Sequence, residues 1–504
     1  MVRVVAGLIG LVSLAVAGVA GGLTPEVAIQ FTGVSDIALS PDGTRAVYLL
    51  SVPRDPLDAP GDDYHEIWTL GIDPPQPPRR LTAPKGNPSS PEFSPDGQTI
   101  SFVDQRDAHN KKKQVFLLPM NGGEARGLTT HKAGVGAYHW SPDGQWIAFI
   151  AKEPLSEEEQ ADKDDGRDWT IVGESDRGGR LWLTRVSDGE TAPALDSPLV
   201  IRDFCWTPDS QGFVIRATEQ PGVDQDMMYS RLYHATRAEK TPTLVCETAG
   251  KLGPFTASSD GAHLAYLGAA DISDPLPQTL FVVDLPQGEP RSLSGEREAS
   301  GVALQWLSES ELAVLWHAGE KCVMERTDVA SGKSQPLAEA EVAISRFAIA
   351  GDHVIVSGST PTTPSALFVS TSEGSLVKAT SHNDVLTADV DVARREVIEW
   401  KGADNWPIYG VLTYPLGYKT GETYPLVVYP HGGPEGVSLL DWSDRAQMLA
   451  ARGFAVLQPN YRGSGGRGVR FSKGDHDDLG GREFDDILAG IDMLATRGMI
   501  DPQR

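Results

Sequence analysis

A four-residue motif, Ser-Pro-Asp-Gly, recurs along this chain and constrains its fold more than any other feature. It occupies residues 40–43, 94–97 and 141–144, and weaker copies occupy 207–210 and 258–261. Proline presets φ, and Asp-Gly turns the chain tightly between two strands. Each copy is followed by an alternation of apolar and polar residues, as in RAVYLL, TISFV and WIAFI, which predicts a half-buried strand.

The spacing of the copies predicts a β-propeller. The motifs begin at 40, 94, 141, 207 and 258, which are 54, 47, 66 and 51 residues apart. Repeats of about 40 to 50 residues made of short strands are typical of that fold. A second strand pattern follows in each repeat, at 67–70, 115–119, 181–186, 232–235 and 280–285. Two degenerate copies, near 306–309 and 350–352, raise the count to seven blades.

The widest spacing has a local cause, an acidic stretch at 153–168 that reads EPLSEEEQADKDDGRD. Its charges could mark a partner site or a cation site. A solvated loop that its own repulsion holds extended is the simpler interpretation, and we expect that structure.

Charge and cysteine content exclude several partners. Lys and Arg number 44 against 69 Asp and Glu, a net charge of −25, whereas nucleic-acid binding depends on neutralising phosphates with cations. We therefore expect no nucleic-acid partner. Cys205, Cys246 and Cys322 are far apart, no pair has zinc-ligand spacing, and we expect free thiols. The sequence predicts no cofactor and no metal site.

Residues 1–22 have the layout of a secretory signal peptide. They read MVRVVAGLIGLVSLAVAGVAGG, in which one arginine precedes an apolar run that ends in small residues. We expect cleavage near Ala20 or Gly22, a periplasmic or secreted protein, and no stable membrane association afterwards. An uncleaved anchor is the alternative, because the run is about twenty residues long.

The last part of the chain follows a different pattern, strand, helix and strand. Apolar runs at 425–429 and 454–457 flank a helical pattern at 443–452, and this order predicts a parallel βαβ unit. The strand at 454–457 is expected to lie at the edge of its sheet. A hairpin of 397–400 with 408–413 precedes the unit, which places a domain boundary near residue 390.

A helix is predicted at 482–497, because apolar residues recur there at helical spacing. It is expected to pack on the sheet through Phe484, Ile487, Leu488, Ile491 and Leu494.

One loop in this region suggests catalysis. His431-Gly432-Gly433-Pro434 directly follows the strand at 425–429. A glycine pair lets bare backbone approach a ligand and point N–H groups at it. In α/β-hydrolases an HGG-type loop at this place supplies one oxyanion-hole N–H. A simple turn at the end of a strand is the alternative.

Two other motifs are interpreted as structural. GSGGRG at 463–468 formally fits a dinucleotide fingerprint, and Asp485 follows at a suitable distance, but no helix is expected directly after the glycines. The run Asp475-His476-Asp477-Asp478 contains several potential ligands, but a single histidine among adjacent acids is more typical of a surface than of a metal site.

HGGP, the NYRGS segment at 460–464 and the helix that leads into IDP together resemble the prolyl oligopeptidase family of serine peptidases. The acylaminoacyl-peptidase and dipeptidyl-peptidase-like branch is the most similar. The resemblance implies a seven-bladed β-propeller at 23–390, followed at 391–504 by the N-terminal portion of an α/β-hydrolase peptidase domain with a truncated parallel sheet. It also implies that Gly433 donates its backbone N–H to the oxyanion, and that His431 and Gly432 shape the oxyanion loop.

In that family the segment after IDP leads into the nucleophile elbow, G-x-S-x-G-G. The 504 residues contain no G-x-S-x-G, and Ser464 lies in a loop without the elbow pattern, so it is interpreted as a decoy. We therefore expect the Ser, Asp and His of the triad to be missing from this fragment, and the 504 residues alone to be catalytically incomplete.

Two functions stay open. The first is a serine peptidase that cleaves short peptides through an acyl-enzyme, with the propeller restricting access. The second is a non-catalytic propeller binding module, a degenerate or truncated relative. The sequence decides neither the oligomeric state nor the choice among aminopeptidase, dipeptidyl-peptidase and acylaminoacyl-peptidase specificity.

Overall fold

The computed structural model describes residues 21–106, 112–167, 169, 177–338, 341–371 and 374–501. The predicted signal peptide lies outside these ranges except for its last two residues, which form strand β1 (Gly21–Gly22). Within the described ranges, no helix combines the length and the apolar character needed to cross a membrane.

Seven four-stranded antiparallel sheets follow one another along the described chain, each made of four consecutive strands. The first four sheets contain β2 (Gly33–Leu39), β3 (Arg45–Val52), β4 (Tyr64–Gly71) and β5 (Gln76–Arg80); β6 (Ser89–Phe93), β7 (Thr99–Asp104), β8 (Gln114–Pro119) and β9 (Arg126–Gly127); β10 (Tyr138–Trp140), β11 (Trp146–Lys152), β12 (Gly179–Arg185) and β13 (Thr191–Pro193); and β14 (Val200–Trp206), β15 (Gly212–Thr218), β16 (Arg231–Thr236) and β17 (Thr243–Cys246). The last three contain β18 (Leu252–Ala257), β19 (His263–Gly268), β20 (Thr279–Asp284) and β21 (Arg291–Ser292); β22 (Ser300–Trp306), β23 (Glu311–Ala318), β24 (Lys321–Asp328) and β25 (Ser334–Ala338); and β26 (Ala343–Ala350), β27 (His353–Thr360), β28 (Thr363–Ser370) and β29 (Leu376–Lys378).

The repeated Ser-Pro-Asp-Gly motif forms the turn between the first and second strands of a sheet. In the first copy, Ser40 Oγ donates to Asp42 Oδ1 at 2.5 Å and accepts from the N–H of Arg45 at 3.0 Å. Gly43 has a φ of +70°, which favours glycine. The hydrogen bond from Ser40 is the main reason that the pKa of Asp42 falls to about 2. The same pair recurs at 94 and 96, 141 and 143, 207 and 209, and 258 and 260.

Neighbouring sheets share apolar cores, and the first sheet also packs on the last. Tyr48 and Leu50 of the first sheet lie in one buried cluster with Ile355 and Leu367 of the seventh. Among the described residues, no strand pairing crosses this junction; the Ser365 hydroxyl of the seventh sheet accepts from the N–H of Val34 at 2.9 Å. The arrangement is consistent with the predicted propeller.

Seven helices and one 3₁₀ turn complete the described structure. They are α1 (Pro25–Ala28), α2 (Glu157–Asp164), α3 (Val223–Met228), α4 (Asp384–Thr387), the 3₁₀ turn Ala403–Asn405, α5 (Asp444–Ala450), α6 (Gly468–Ser472) and α7 (Arg482–Thr496). All three cysteines are free thiols.

Helix α2 corrects the expectation of an extended acidic loop at 153–168. The Ser156 hydroxyl accepts from the N–H of Glu159 at 3.2 Å, and the Glu159 carboxylate accepts from the N–H of Ser156 at 2.8 Å. This capping box satisfies two free donors of the first turn. The acids that repel one another along the chain also face the positive end of the helix dipole there, so the helix tolerates them. Residue 168 lies outside the described residues.

A separate mixed sheet begins after residue 394. Its strands, in spatial order, are β31 (Arg395–Lys401), β32 (Pro407–Thr413), β34 (Ala455–Asn460) and β33 (Leu426–Val428), while β30 (Val390–Asp391) pairs with β1 instead. The hairpin β31–β32 and the parallel pair β33–β34 with α5 between them confirm the predicted hairpin and βαβ unit. The expectation that 454–457 forms an edge is wrong, because β32 pairs with the other side of β34.

The last described residues pair with the segment that leads into β33. The N–H of Tyr424 donates to the carbonyl of Met499 at 3.0 Å, and the N–H of Asp501 donates to the carbonyl of Tyr424 at 3.0 Å. This parallel bridge pairs Tyr424 with Ile500, so β33 has a neighbour at its start.

Helix α7 packs on the sheet through a face that matches the predicted one only in part. Leu494 is buried in the core and Ile491 packs against it, as predicted, whereas Phe484 is 55% exposed and Leu488 is 41% exposed. Asp486 and Gly490 are also buried, and Gly490 lets the ring of Trp400 approach the helix backbone, because a Cβ there would lie 2.9 Å from that ring. The apolar spacing predicted the helix and part of the stripe that faces the core.

Candidate active site

The predicted oxyanion loop, residues 431–434, follows β33 and forms a tight turn. Only glycine fits at the third residue of this loop. Gly433 has a φ of +133°, and a Cβ on it would lie 2.3 Å from the backbone nitrogen of Glu435. The turn closes with the N–H of Gly436 donating to the carbonyl of Gly432 at 3.2 Å. Gly433 is exposed, and within the described part of the chain its N–H has no hydrogen-bond acceptor. A donor of this kind can bind an anionic oxygen.

A tyrosine from the end of β34 braces the start of this loop. The ring of Tyr461 stacks on the imidazole of His431, with centroids 4.8 Å apart and planes 19° from parallel. Its hydroxyl donates to the carbonyl of His431 at 2.7 Å. Two independent contacts therefore fix the position of His431 relative to the neighbouring strand.

Ser464 also holds His431 in place, a role that the sequence did not predict. Its Oγ lies 3.0 Å from Nε2 of His431 and 2.6 Å from the carbonyl oxygen of Tyr461. The residue is fully buried. A buried hydroxyl cannot attack a peptide, which supports the interpretation that Ser464 is not a nucleophile. The sequence did not reveal that His431 is the hydrogen-bond partner of Ser464, because the spacing of the two residues along the chain does not show their contact.

A buried ion pair holds the segment that carries these residues. Asp486 of α7 accepts from Arg462 Nε at 2.7 Å, from Arg462 Nη2 at 2.8 Å and from the N–H of Ala403 at 2.8 Å. Arg462 Nη2 in turn donates to the carbonyl of Ala403 at 2.8 Å. The pair joins the hairpin turn, the 460–464 segment and α7, and Asp486 raises the pKa of the Arg462 guanidinium.

Burial shifts the protonation of the groups around the loop. It lowers the pKa of His431, so the imidazole favours its neutral form. It raises the pKa of the Tyr461 hydroxyl, to which the negative charge of Asp475 adds. It also raises the pKa of Asp475, whose Oδ2 is buried and has no hydrogen-bond partner in the described part of the chain.

The run at 475–478 is not uniformly at the surface, contrary to expectation. Asp475 is 2% exposed, because its carboxylate lies against the Cα of Gly463, while the next three residues are exposed. Among the described residues, no three His, Cys, Asp or Glu side chains are grouped so that they could hold a metal ion.

The glycine-rich segment at 463–468 packs on the propeller. The N–H of Gly466 donates to Ser300 Oγ at 2.8 Å, and its carbonyl accepts from the N–H of Gly319 at 2.7 Å. The expectation that no helix follows is wrong, because α6 begins at Gly468. Its five residues form a single turn beside the propeller, however, and the glycines that would cradle a phosphate are buried against blade loops.

The junction between the two regions leaves a cleft on one side. It has a volume of about 650 Å³, and its walls include Glu296 of the propeller and Trp406, Arg467 and Phe471 of the second region. Near the oxyanion loop, Lys251 Nζ of the propeller lies 4.0 Å from the carboxylate of Glu435. Propeller loops therefore reach the neighbourhood of His431.

Comparison with known proteins identifies relatives over almost the whole chain. Residues 440–504 match the model of the prolyl oligopeptidase family. The chain is 26% identical over 515 residues to an uncharacterised peptidase of Bacillus subtilis, YuxL, in a match that covers 96% of this chain and 77% of that protein. It is 23% identical over 516 residues to dipeptidyl-peptidase 5 of Porphyromonas gingivalis, covering 96% and 74%.

A solved structure shows the same fold. An acylaminoacyl peptidase in complex with Z-Gly-Gly-Phe-chloromethyl ketone superposes with a TM-score of 0.76, at 17% identity, over 96% of this chain and 74% of its own. The likeness supports a propeller followed by an α/β-hydrolase region.

Proposed function

Since this chain belongs to the prolyl oligopeptidase family of serine peptidases, we propose that it functions in the hydrolysis of short peptides through an acyl-enzyme. In that chemistry a serine hydroxyl adds to the peptide carbonyl, the carbonyl oxygen becomes an oxyanion, and the amine leaves with a proton. Water then releases the acid. We assign to Gly433 the donation of its N–H to the oxyanion.

The observation that carries this proposal is the exposed N–H of Gly433, which has no acceptor among the described residues and lies in a turn that only glycine can form. A turn whose sole role is to end a strand has no need of a donor held open in this way. The brace formed by Tyr461 and Ser464 keeps His431, and with it the loop, in place before substrate arrives. Preorganised donors of this type contribute about 10²- to 10³-fold to kcat.

The pairing of Ile500 with Tyr424 supports the same assignment. A strand that continued in this register would run beside β33 and would end beside the loop that follows β33. In α/β-hydrolases the nucleophile stands at the end of such a strand. A serine presented there would face the N–H of Gly433.

The propeller is proposed to limit which substrates reach this site. We propose seven blades at 23–390 followed by the first part of an α/β-hydrolase domain at 391–504, and the approach of Lys251 to Glu435 supports blade loops that lie next to the oxyanion loop. Folded proteins would not pass between them, whereas short or unstructured peptides would.

We also propose that the protein is exported. The arginine and apolar run at the N-terminus support this proposal. N-terminal sequencing of the protein from periplasm or medium is expected to begin between Gly21 and Leu23. An intact Met1 on membrane-bound protein would favour the anchor instead.

A peptidase assay on two forms of the protein tests the function. Residues 23–504 alone are expected to show no turnover of chromogenic dipeptides or acyl-peptides, because removing a nucleophile costs about 10⁶-fold in kcat in a related enzyme. The product of the entire reading frame is expected to hydrolyse them and to be blocked by a serine-directed covalent inhibitor. Inhibitor-sensitive turnover by 23–504 would contradict our location of the site. A reading frame that stops at codon 504 would favour the binding module.

A further inference from the structure

The hydrogen bonds around Ser464 determine which nitrogen of His431 carries the proton. A carbonyl oxygen can only accept a hydrogen bond, so the 2.6 Å contact between Ser464 Oγ and the carbonyl of Tyr461 requires the serine to donate. A serine hydroxyl has one proton, and that contact uses it. The 3.0 Å contact with His431 Nε2 therefore requires the histidine to donate to Ser464 Oγ.

The other ring nitrogen favours the opposite tautomer. Nδ1 of His431 lies 3.1 Å from the carbonyl oxygen of Gly432, which is also only an acceptor. A neutral imidazole has one N–H, so it can satisfy Ser464 or Gly432 but not both. The competing acceptor belongs to the loop itself, which links the choice of tautomer to the shape of the loop.

We propose that Ser464 is a positioning residue that holds His431 as the neutral Nε2–H tautomer and thereby keeps the oxyanion loop in the turn that exposes the N–H of Gly433. The inference rests on the proposed function for its catalytic consequence, but not for the tautomer itself. With Nε2–H donated to Ser464, the Gly432 carbonyl stays free to accept the N–H of Gly436, which closes the turn around Gly433. Without Ser464, Nδ1–H gains the Gly432 carbonyl and competes for that acceptor.

This assignment also limits what His431 can do. Its Nε2 is occupied by a buried hydroxyl, and its ring face is covered by Tyr461. The imidazole is therefore neither a general base nor a direct oxyanion donor. Its contribution is to fix the backbone from which Gly433 follows.

The tautomer is measurable by nitrogen NMR of the 504-residue protein labelled with ¹⁵N-histidine. A ring nitrogen that carries a proton and one that does not have distinct ¹⁵N chemical shifts. The His431→Gln variant identifies which signals belong to His431. The wild type is expected to show Nε2–H. Ser464→Ala is expected to move the population toward Nδ1–H, because the acceptor that faces Nε2–H is lost while the Gly432 carbonyl still faces Nδ1. Ser464→Thr keeps the hydroxyl and is expected to restore Nε2–H.

Ser472→Ala is a matched control. Ser472 is also fully buried, donates to the carbonyl of Val469 at 3.1 Å and accepts from Gln278 Nε2 at 2.9 Å, but does not contact His431. Its loss is expected to leave the tautomer unchanged. An Nδ1–H wild type, or an unchanged Nε2–H in Ser464→Ala, would overturn the proposal. If Ser464→Ala does not fold, the wild-type and Ser464→Thr spectra decide.

The catalytic consequence is tested separately, on the product of the entire reading frame. Ser464→Ala is expected to lower kcat by about tenfold with little change in KM, the scale of one neutral hydrogen bond lost from a preorganised site. Ser464→Thr is expected to recover most of it. A protein without any peptidase activity whose His431 still responds to Ser464 would refute the proposed function and leave the positioning role standing. An unchanged kcat together with a switched tautomer would refute the positioning role.

Discussion

The buried pair of Arg462 and Asp486 offers the sharpest test of how the second region is held together. Asp486→Asn keeps the shape of the side chain but removes its charge, while Arg462 stays cationic and 2% exposed. The carboxylate accepts four hydrogen bonds, two of them from the guanidinium and two from the backbone N–H groups of Ala403 and Arg462. The amide of asparagine replaces one carboxylate oxygen, a hydrogen-bond acceptor, by an NH₂ group, a donor that faces the cationic Arg462.

The expected cost follows from the burial of the unpaired cation. Removing one partner of a buried ion pair costs about 3–5 kcal/mol of folding free energy. Each 1.4 kcal/mol is about a tenfold change in an equilibrium constant, so the opening of this region is expected to rise by about 10²- to 10³-fold. The pair joins three segments, so they are expected to lose protection together.

Native-state hydrogen exchange measures this opening segment by segment. In Asp486→Asn the amides of β31, β32 and α7 are expected to exchange faster by that factor, while those of the first sheets of the propeller keep their rates. Asp485→Asn is the control, because Asp485 precedes Asp486 on the same helix and is exposed. Its effect is expected to stay below about 1 kcal/mol, the scale of a charge at the N-terminal turn of a helix.

Equal exchange rates in the two variants would refute the reasoning. A double variant adds a second check. Replacing both members by apolar residues of similar volume, Arg462→Met with Asp486→Leu, is expected to destabilise less than Asp486→Asn, because no charge is then left buried alone.

Two further predictions follow from the same region. Gly433→Ala in the product of the entire reading frame is expected to lower kcat by about 10²- to 10³-fold, because a Cβ displaces the donor. Gly417→Ala, which also has a positive φ but open space around it, is the control, and equal kcat in both variants would contradict the role of Gly433. Asp475→Asn is expected to raise the thermal midpoint at pH 7 but not below about pH 4. Burial raises the pKa of Asp475, so the folded state favours the protonated carboxyl. The contribution of Asp475 to folding stability is therefore fully present below the pKa of this group in the unfolded chain and is lost as pH rises through its pKa in the folded protein. Exposed Asp477→Asn should not show this pH dependence, and a midpoint of Asp475→Asn that is unchanged at pH 7 would contradict the cause given.

The sequence predicted the elements of this fold well because each carries a local signal. The turn at residues 40–43 needs proline for φ, Asp42 for the hydrogen bond from Ser40 and glycine for φ of +70°, and all three requirements are visible as letters. The helical spacing at 482–497 was equally visible. The burial of Asp486 on that helix was not visible, because Asp486 gains its place from Arg462, a partner 24 residues away.

The candidate site was predictable only in part for the same reason. His431 and Gly433 lie next to a strand in a motif that resembles a known family. Their supports, Tyr461 and Ser464, come from the neighbouring strand of the sheet, and strand order decides that contact. The predicted βαβ unit placed β34 beside β33, but the spacing along the chain does not show which residues after β34 turn toward the loop, and so it did not reveal the contact of Ser464 with His431.

The pairing of β1 with β30 changes how the two regions are related. Gly21–Gly22 pairs in parallel with Val390–Asp391, and a Cβ on Gly22 would lie 2.3 Å from Ala451, beside α5. The chain thus enters and leaves the propeller at one place, on the surface of the other region. In these terms the segments that precede and follow the seven sheets form one junction beside α5. A short linker that replaces residues 24–389 would leave both attachment points where they already are.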